Sequence, residues 1–577
     1  MQMGRMNVAV DFDSVWYGVR SHLMLDSGNS IYENLGTLGV VYTYPKGWEV
    51  LTLPLAGLPS YSFLIAFNLW TAALVLLAGY EAACVRMNRN NALWVPFLMA
   101  AVPGIMNMAC TAKADLITLL FQLLMIHSVL QYEQERLADW LVLGVSAALL
   151  SFTMKPTALI YSTAVGGMAL IWVLWDYCAG RKGLADDRRS QPPGPRIEPA
   201  GPRIWPAGPR IGPAGPRIWP ASPRIWLALI PSLAALAGIW GRTLKLVGVP
   251  VTSVFYGLFQ KLGFTVKYPF YASGFPSSGG DMTLWEKIRF LGGRLYGVIL
   301  NPQGEDMAHV VIAWGTALPL ILLVVWLCMR TRKKGRDGVP GYLPMLTAGV
   351  LVVNLVSLYS LSQIDGNYYM LFYALVILNF CIWGEGMVPA PRRISRLVLL
   401  PAWALAAVLC ALTNWSWALG NGGFHLKHAG YYDHVQAARE DRMRQGSGEI
   451  WNILAADPKN RVIALGEVPG VLTFPCSVQS YVDVSGYWGN PEVVSDAPSF
   501  LQYLQYADMD YLYMEKEYVC QGVRIYDIIR ELVGQGWLWD VRGENGNLIL
   551  SVGRDGPKPQ EAQQNLEAFD HHYIQHP

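Results

Sequence analysis

The chain has 577 residues, of which 53% are hydrophobic and only 15% charged. Soluble proteins average about 25% charged residues, so a soluble enzyme, a disordered chain and a nucleic-acid binder are all excluded, and a polytopic membrane protein remains. The net charge of +2 hides a split, with 32 basic against 21 acidic residues in 1–420 and 12 against 21 in 421–577.

Residues 1–61 are polar enough for a loop outside the bilayer. Within them, Asp11-Phe12-Asp13-Ser14 leads into Val15, Val19 and Leu23 at helical spacing, the pattern of a short surface helix. Asp13 or Ser14 reads plainly as its N-cap. The sharper reading is a carboxylate held at the membrane face as general base or metal ligand. Tyr42-Thr43-Tyr44-Pro45-Lys46-Gly47-Trp48-Glu49 then leads towards the membrane.

Ten apolar segments follow, near 62–85, 92–110, 115–131, 139–154, 156–176, 226–248, 309–329, 341–361, 367–385 and 394–418. Most approach the ~20 residues that cross ~30 Å of hydrocarbon. Lys155-Pro156 splits the run 139–176, because proline disfavours helix at the residue before it. Alternate connections carry the basic residues: Arg86 and Arg89, Arg136, nine between Arg181 and Arg224, five between Arg330 and Arg336, then Arg392, Arg393 and Arg396. The positive-inside rule places these in the cytoplasm. Residues 1–61, 249–308 and 419–577 are then extracytoplasmic. Leu284 to Leu300 is only half-apolar and reads as interfacial or re-entrant. No signal peptide opens the chain, so the parity predicts one span before residue 1.

The chain therefore divides into five parts. These are the first loop (1–61), spans one to five (62–178), a linker (179–225), spans six to ten with the outer segment 249–308 (226–418), and a C-terminal domain (419–577). The linker repeats Gly-Pro-Arg-Ile-x-Pro-Ala, and two prolines in seven forbid a regular helix. It reads as a tolerant repeat expansion, with a basic arm on anionic lipid as the functional alternative. Strand signals at 461–465, 510–514, 537–541 and 548–552, with helix signals at 498–507 and 523–533, predict a small α/β domain with a disordered tail from about 556. Cys476 and Cys520 lie in this polar part, where an extracytoplasmic disulfide is one reading.

Charged and aromatic residues gather at the outer span ends: Lys113 and Asp115 in Thr111-Ala-Lys-Ala-Asp, Lys155 in Lys155-Pro-Thr, and Asp365 before Tyr368-Tyr369. Each alone reads as a snorkelling or interfacial side chain. Together they suit an anionic lipid phosphate beside a group to be deprotonated.

This layout resembles the GT-C superfamily of integral-membrane glycosyltransferases, in particular the bacterial branch related to protein O-mannosyltransferases and aminoarabinose transferase. That family carries an acidic motif in its first outer loop, then a surface helix and a Tyr-Pro-Pro-Gly-like turn. Asp11/Asp13 and Tyr44-Pro45-Lys46-Gly47 match those positions, with Lys46 where a second proline is common. Lys113 and Asp115 match a Lys-x-Asp at a later span end. The family's first span has no counterpart here, and the proline-rich insertion is atypical.

The resemblance implies a helical membrane body with a C-terminal α/β extracytoplasmic domain, in a bacterial cytoplasmic membrane. It implies sugar transfer, with inversion, from a polyprenyl-phosphate-linked donor to a glycan, lipid or protein acceptor. Asp11 or Asp13 would be the base, and Lys46, Lys113 or Lys155 would steady the leaving phosphate. Tyr44, Glu49 and Asp115 would complete the substrate site. A divalent metal between Asp11 and Asp13 and a metal-free site are both left open. The competing readings are a transporter or flippase, a polysaccharide polymerase or ligase, and a membrane anchor for the C-terminal domain. No inverted repeat supports the first, the acidic loop comes too early for the second, and ten spans exceed what anchoring needs.

Overall fold

The computed structural model describes residues 14–19, 43–55, 58, 62–100, 102–186, 223–252, 254–270, 283–300, 342–360, 366–385, 436–437, 439–440, 443, 448–466, 474–485, 489–515 and 524–575. Short helical turns at Ser14–Val19 and Gly47–Thr52 precede the membrane body. It runs through α1 (Ser62–Cys84), α2 (Trp94–Ala100), α3 (Pro103–Met108), α4 (Asp115–Glu135), α5 (Asp139–Ser151), α6 (Pro156–Asp186), α7 (Leu229–Val247), α8 (Leu284–Leu300), α9 (Tyr342–Ser360) and α10 (Met370–Glu385).

Among the described residues five helices are long and apolar enough to cross a bilayer: Phe63–Cys84, Asp115–Glu135, Pro156–Trp175, Ile225–Val247 and Tyr342–Tyr359. Trp70, Leu74 and Leu77 of α1, Leu170, Ile171 and Leu174 of α6, and Val352 and Val356 of α9 are exposed. Such a belt would be an aggregation surface in water and is at home against hydrocarbon. The opposite faces pack inward around α4, whose Leu116, Leu119, Leu123, Ile126 and Leu130 are buried against α1, α5 and α6.

Prolines set the interruptions. Pro156 opens α6, where its missing N–H breaks no helical bond. The segment 92–110, expected as one span, is instead broken into α2 and α3, with Pro103 opening α3. A proline inside a continuous helix would remove a hydrogen bond and clash with the carbonyl four residues back. The expected span 139–154 is the 13-residue α5, about 20 Å long. α6 runs past the expected boundary at 178 to Asp186, and the linker ends in a 3₁₀ turn, Pro223–Ala228, that feeds α7. The expected spans 309–329 and 394–418 lie outside the described residues. α8 is a helix with Leu284, Trp285, Ile288 and Tyr296 exposed, tied to α9 where the Arg294 guanidinium donates to the Leu358 carbonyl at 2.7 Å.

The C-terminal unit comprises α11 (Gly448–Ala455), β1 (Arg461–Leu465), β2 (Ser477–Ser480), α12 (Ala497–Tyr506), β3 (Tyr511–Met514), α13 (Arg524–Gly534), β4 (Leu538–Glu544), β5 (Asn547–Val552) and α14 (Pro559–Gln575). The strand order is β2-β1-β3-β5-β4. β1 pairs in parallel with β2 and β3, whereas β3, β5 and β4 are antiparallel. β1 is buried on both faces, as a central parallel strand must be. Val462 and Ala464 face Trp451, Phe474 and Tyr513. Ile463 and Leu465 face the core built by α12, α13 and α14, which Leu246, Val247, Val249 and Phe270 of the membrane body also join. The Asn490 amide donates to the Pro269 carbonyl at 2.9 Å across the same junction.

One expectation for this unit is corrected. The tail read as disordered from about 556 is the helix α14, held by Ala562, Leu566 and Phe569 at helical spacing against the sheet core. Cys476 is a thiol buried on β1's second face, without a disulfide partner among the described residues, and Cys520 lies outside them.

Candidate functional site

The turn Thr43-Tyr44-Pro45-Lys46 enters the short helix Gly47–Thr52 with Thr43, Pro45, Lys46 and Glu49 all buried and Tyr44 half-buried. Lys46 Nζ donates to Glu49 Oε1 at 2.9 Å, with side chains only 2% and 6% exposed. Gly47 lies flat on the turn between α5 and α6, its N–H donating to the Thr153 carbonyl at 2.9 Å. A Cβ at Gly47 would fall 2.6 Å from that carbonyl oxygen, so only glycine permits this approach. The Thr43 hydroxyl reaches Thr252, beyond α7, at 2.7 Å.

A second set of contacts gathers on the 111–114 turn. Trp48 Nε1 donates to Asn68 Oδ1 on α1 at 3.0 Å, and Asn68 Nδ2 donates to the carbonyls of Thr111 and Lys113 at 2.6 and 2.8 Å. From the other side, the Ala112 N–H donates to the Ser14 hydroxyl at 2.8 Å. A Cβ at Gly18 would sit 1.9 Å from the Ala112 carbonyl oxygen. The first-loop helix is therefore pressed onto this turn, with Ser14, Gly18 and Val19 buried. The Ser14 hydroxyl thus accepts from a backbone N–H distant in the chain.

Asp115 begins α4, where a carboxylate complements the positive end of the helix dipole. Its Oδ1 accepts from Lys155 Nζ at 2.6 Å, and that ammonium also lies 5.3 Å from the Tyr368 ring centre. Asp115 Oδ2 is buried with no hydrogen-bond partner among the described residues, and so is Asn367 Oδ1. Both atoms belong to side chains that line a small cavity with Thr118, Gln122, Lys155 and Tyr161.

The structure thus brings six of the eight sequence-predicted site residues to one end of the helices. Tyr44, Lys46 and Glu49 form a closed corner; Asp115 and Lys155 open onto a cavity; Lys113 is buried between them. Asp11 and Asp13 lie outside the described residues, and Asp13 directly precedes Ser14 in the chain. Among the described residues no three His, Cys, Asp or Glu side chains gather as metal ligands.

Three participants were not predicted. Asn68 is a polar residue within an apolar helix, and Asn367 sits in a short turn; neither carries a motif. Arg242 on α7 is 1% exposed and belongs to the inward stripe Ile239, Thr243, Leu246 and Val247. Two residues earlier, Trp240 Nε1 donates to the Phe152 carbonyl at 3.2 Å, which sets this part of α7 beside the Gly47–Thr153 contact. A lone arginine in an apolar span is itself a functional signal.

No protein-family model matches the chain, and no curated protein sequence does. Among solved structures it is similar to ArnT from Cupriavidus metallidurans bound to undecaprenyl phosphate. The identity is 13%, covering 96% of both chains, with a TM-score of 0.46. It is also similar to the Archaeoglobus fulgidus oligosaccharyltransferase in complex with Zn and sulfate, at 11% identity over 90% of this chain and 66% of that one, TM-score 0.41. A third is the archaeal oligosaccharyltransferase AglB from the same organism, in complex with an inhibitory peptide and a dolichol-phosphate. There the identity is 11% over 96% of this chain and 71% of that one, with a TM-score of 0.39.

Proposed function

We propose that the chain is a membrane glycosyltransferase that moves a sugar from a polyprenyl-phosphate carrier to an acceptor on the extracytoplasmic face of a bacterial cytoplasmic membrane. One observation carries this reading. Four sequence-distant pieces, the first-loop helix, the Tyr44–Glu49 corner, the 111–115 turn and the 153–155 turn, converge through buried polar contacts at one end of the helices.

The proposed chemistry is the one that the resemblance to GT-C glycosyltransferases implies. The acceptor's nucleophilic atom attacks the anomeric carbon from the face opposite the carrier phosphate. The bond from anomeric carbon to phosphate oxygen breaks, its electron pair leaves on the phosphate, and the configuration inverts. Asp11 or Asp13 takes the acceptor's proton. Lys46 and Lys155 each already hold a carboxylate, Glu49 and Asp115. The developing phosphate charge is met by Lys46, Lys113 or Lys155 at this end of the helices, with the buried Arg242 of α7 as a further cation. A positioned donor at such a charge lowers the barrier by about 3–4 kcal/mol.

The expected outcome is that Asp11→Ala and Asp13→Ala include one variant with normal membrane insertion and transfer reduced by about 10²-fold or more. Quantifying free polyprenyl phosphate released by each purified variant checks this. Full activity in both removes the aspartates from the mechanism.

A further inference from the structure

The cavity at the Asp115–Lys155 pair is lined by two side chains whose buried oxygens lack a donor among the described residues. Asp115 and Asn367 are 6% and 7% exposed, and each presents a buried oxygen with no donor among the described residues. Two further lining groups already direct donors elsewhere: the Thr118 hydroxyl to the Ala114 carbonyl at 2.8 Å, and the Gln122 amide to Ser162 Oγ at 3.2 Å. Lys155, Thr157, Tyr161 and Tyr368 also line the cavity, yet Asp115 Oδ2 and Asn367 Oδ1 receive no donor among the described residues. A buried acceptor left without a donor costs about 1–3 kcal/mol, so such a site calls for a ligand that brings hydrogens.

That requirement selects among ligands. A carrier phosphodiester offers only acceptor oxygens and would meet Asp115 Oδ2 and Asn367 Oδ1 oxygen to oxygen. A hard divalent cation such as Ca²⁺ or Mg²⁺ needs about six or more oxygens, and here the Lys155 ammonium stands 2.6 Å from the other oxygen of the same carboxylate. Hydroxyl groups fit, since each brings one donor. The cavity volume is ≈ 30 Å³, room for about two water-sized groups. That is too small for a sugar ring and the right size for two hydroxyls on its edge.

We infer that this cavity reads the transferred sugar: two neighbouring hydroxyls of the ring enter it and donate to Asp115 Oδ2 and Asn367 Oδ1, while the carrier phosphate stays outside. The inference rests on the glycosyltransferase reading above. It makes Asn367 a specificity-determining residue in the turn between α9 and α10. That turn is tied to α9 where Asn354 Nδ2 donates to the Tyr368 carbonyl at 3.1 Å. A site built to pair hydroxyls rejects a sugar lacking them more strongly than an apolar pocket rejects an added one.

The test uses the full chain in detergent, with bare polyprenyl phosphate and a panel of polyprenyl-phosphate hexoses and pentoses, including singly deoxygenated forms. Asn367→Leu and the shape-conserving Thr118→Val should leave affinity for the bare carrier within about twofold. For the preferred sugar-bearing carrier, Asn367→Leu should weaken binding by about tenfold and Thr118→Val by a few-fold. In Asn367→Leu, discrimination against one deoxygenated donor should disappear. Equal weakening for bare and sugar-bearing carriers overturns the inference in favour of a phosphate or purely structural role. No change for either means that the cavity holds only water, and also overturns it. If wild-type protein binds the bare carrier yet releases it from no sugar donor, the glycosyltransferase reading itself fails.

Discussion

The strongest constraints at the residue scale are buried polar groups satisfied by other protein groups. Asn68 shows this: one side-chain amide joins Trp48 to the carbonyls of Thr111 and Lys113, fixing the corner and the 111–114 turn to α1 at once. The Lys46–Glu49 pair is the charged counterpart. Its two charges are almost wholly buried, so removing one partner strands the other. Lys46→Met alone should destabilise the protein by about 3–5 kcal/mol, whereas Lys46→Met with Glu49→Leu should recover most of the loss. Thermal unfolding of the two variants in detergent checks this. Equal destabilisation by single and double variants would mean that the pair contributes through shape and not charge. Residues such as these were only half legible in the sequence. Tyr44, Lys46, Glu49, Lys113, Asp115 and Lys155 stood out through motif and placement at span ends. Asn68 and Asn367 did not, because an uncharged amide in an apolar run gives no spacing signal. Arg242 did carry one, as the charge on the inward face of a largely apolar helix.

Elements were legible where one physical preference dominated. α1, α4, α6, α7 and α9 follow from hydropathy and length, and Pro156 marks the start of α6. β1, β3, β4 and β5 follow from runs of apolar and aromatic residues. β2, Ser477-Val-Gln-Ser, is too polar to announce itself and is a strand because β1 offers it a parallel edge. The 92–110 segment misled for the opposite reason, since its composition suits a span while its prolines break the helix. α14 was missed through its polar composition, although Ala562, Leu566 and Phe569 repeat at helical spacing. Beside these strands, burial pushes the Cys476 thiol up to about 12. A thiol with a raised folded-state value stabilises the fold at lower pH and loses that contribution as the pH rises above its ordinary value. At pH 8 it should remain neutral and shielded. Maleimide labelling read by mass spectrometry should modify the exposed Cys178 and spare Cys476 until the chain unfolds. Rapid labelling of Cys476 in the folded protein would contradict its burial.

For the whole molecule, the membrane body and the C-terminal unit share one core at Leu246, Val247, Val249 and Phe270. The same α7 carries Arg242 and, through Trp240, touches the turn that receives Gly47. The C-terminal unit is thus mechanically continuous with the end of the helices where the site lies. The overall charge split pointed to this division between an apolar body and an acidic domain, but not to the junction, because contacts between distant segments leave no trace in composition. The central claim, that this end of the bundle transfers a sugar from a lipid carrier, meets its most direct test in one reaction. Purified protein is incubated with a panel of polyprenyl-phosphate sugars and candidate acceptors, and both the freed polyprenyl phosphate and the anomeric configuration of the product are measured. The account predicts release from at least one donor with inversion at the anomeric carbon. Folded protein that releases the carrier from none of them, or a product with retained configuration, would contradict it.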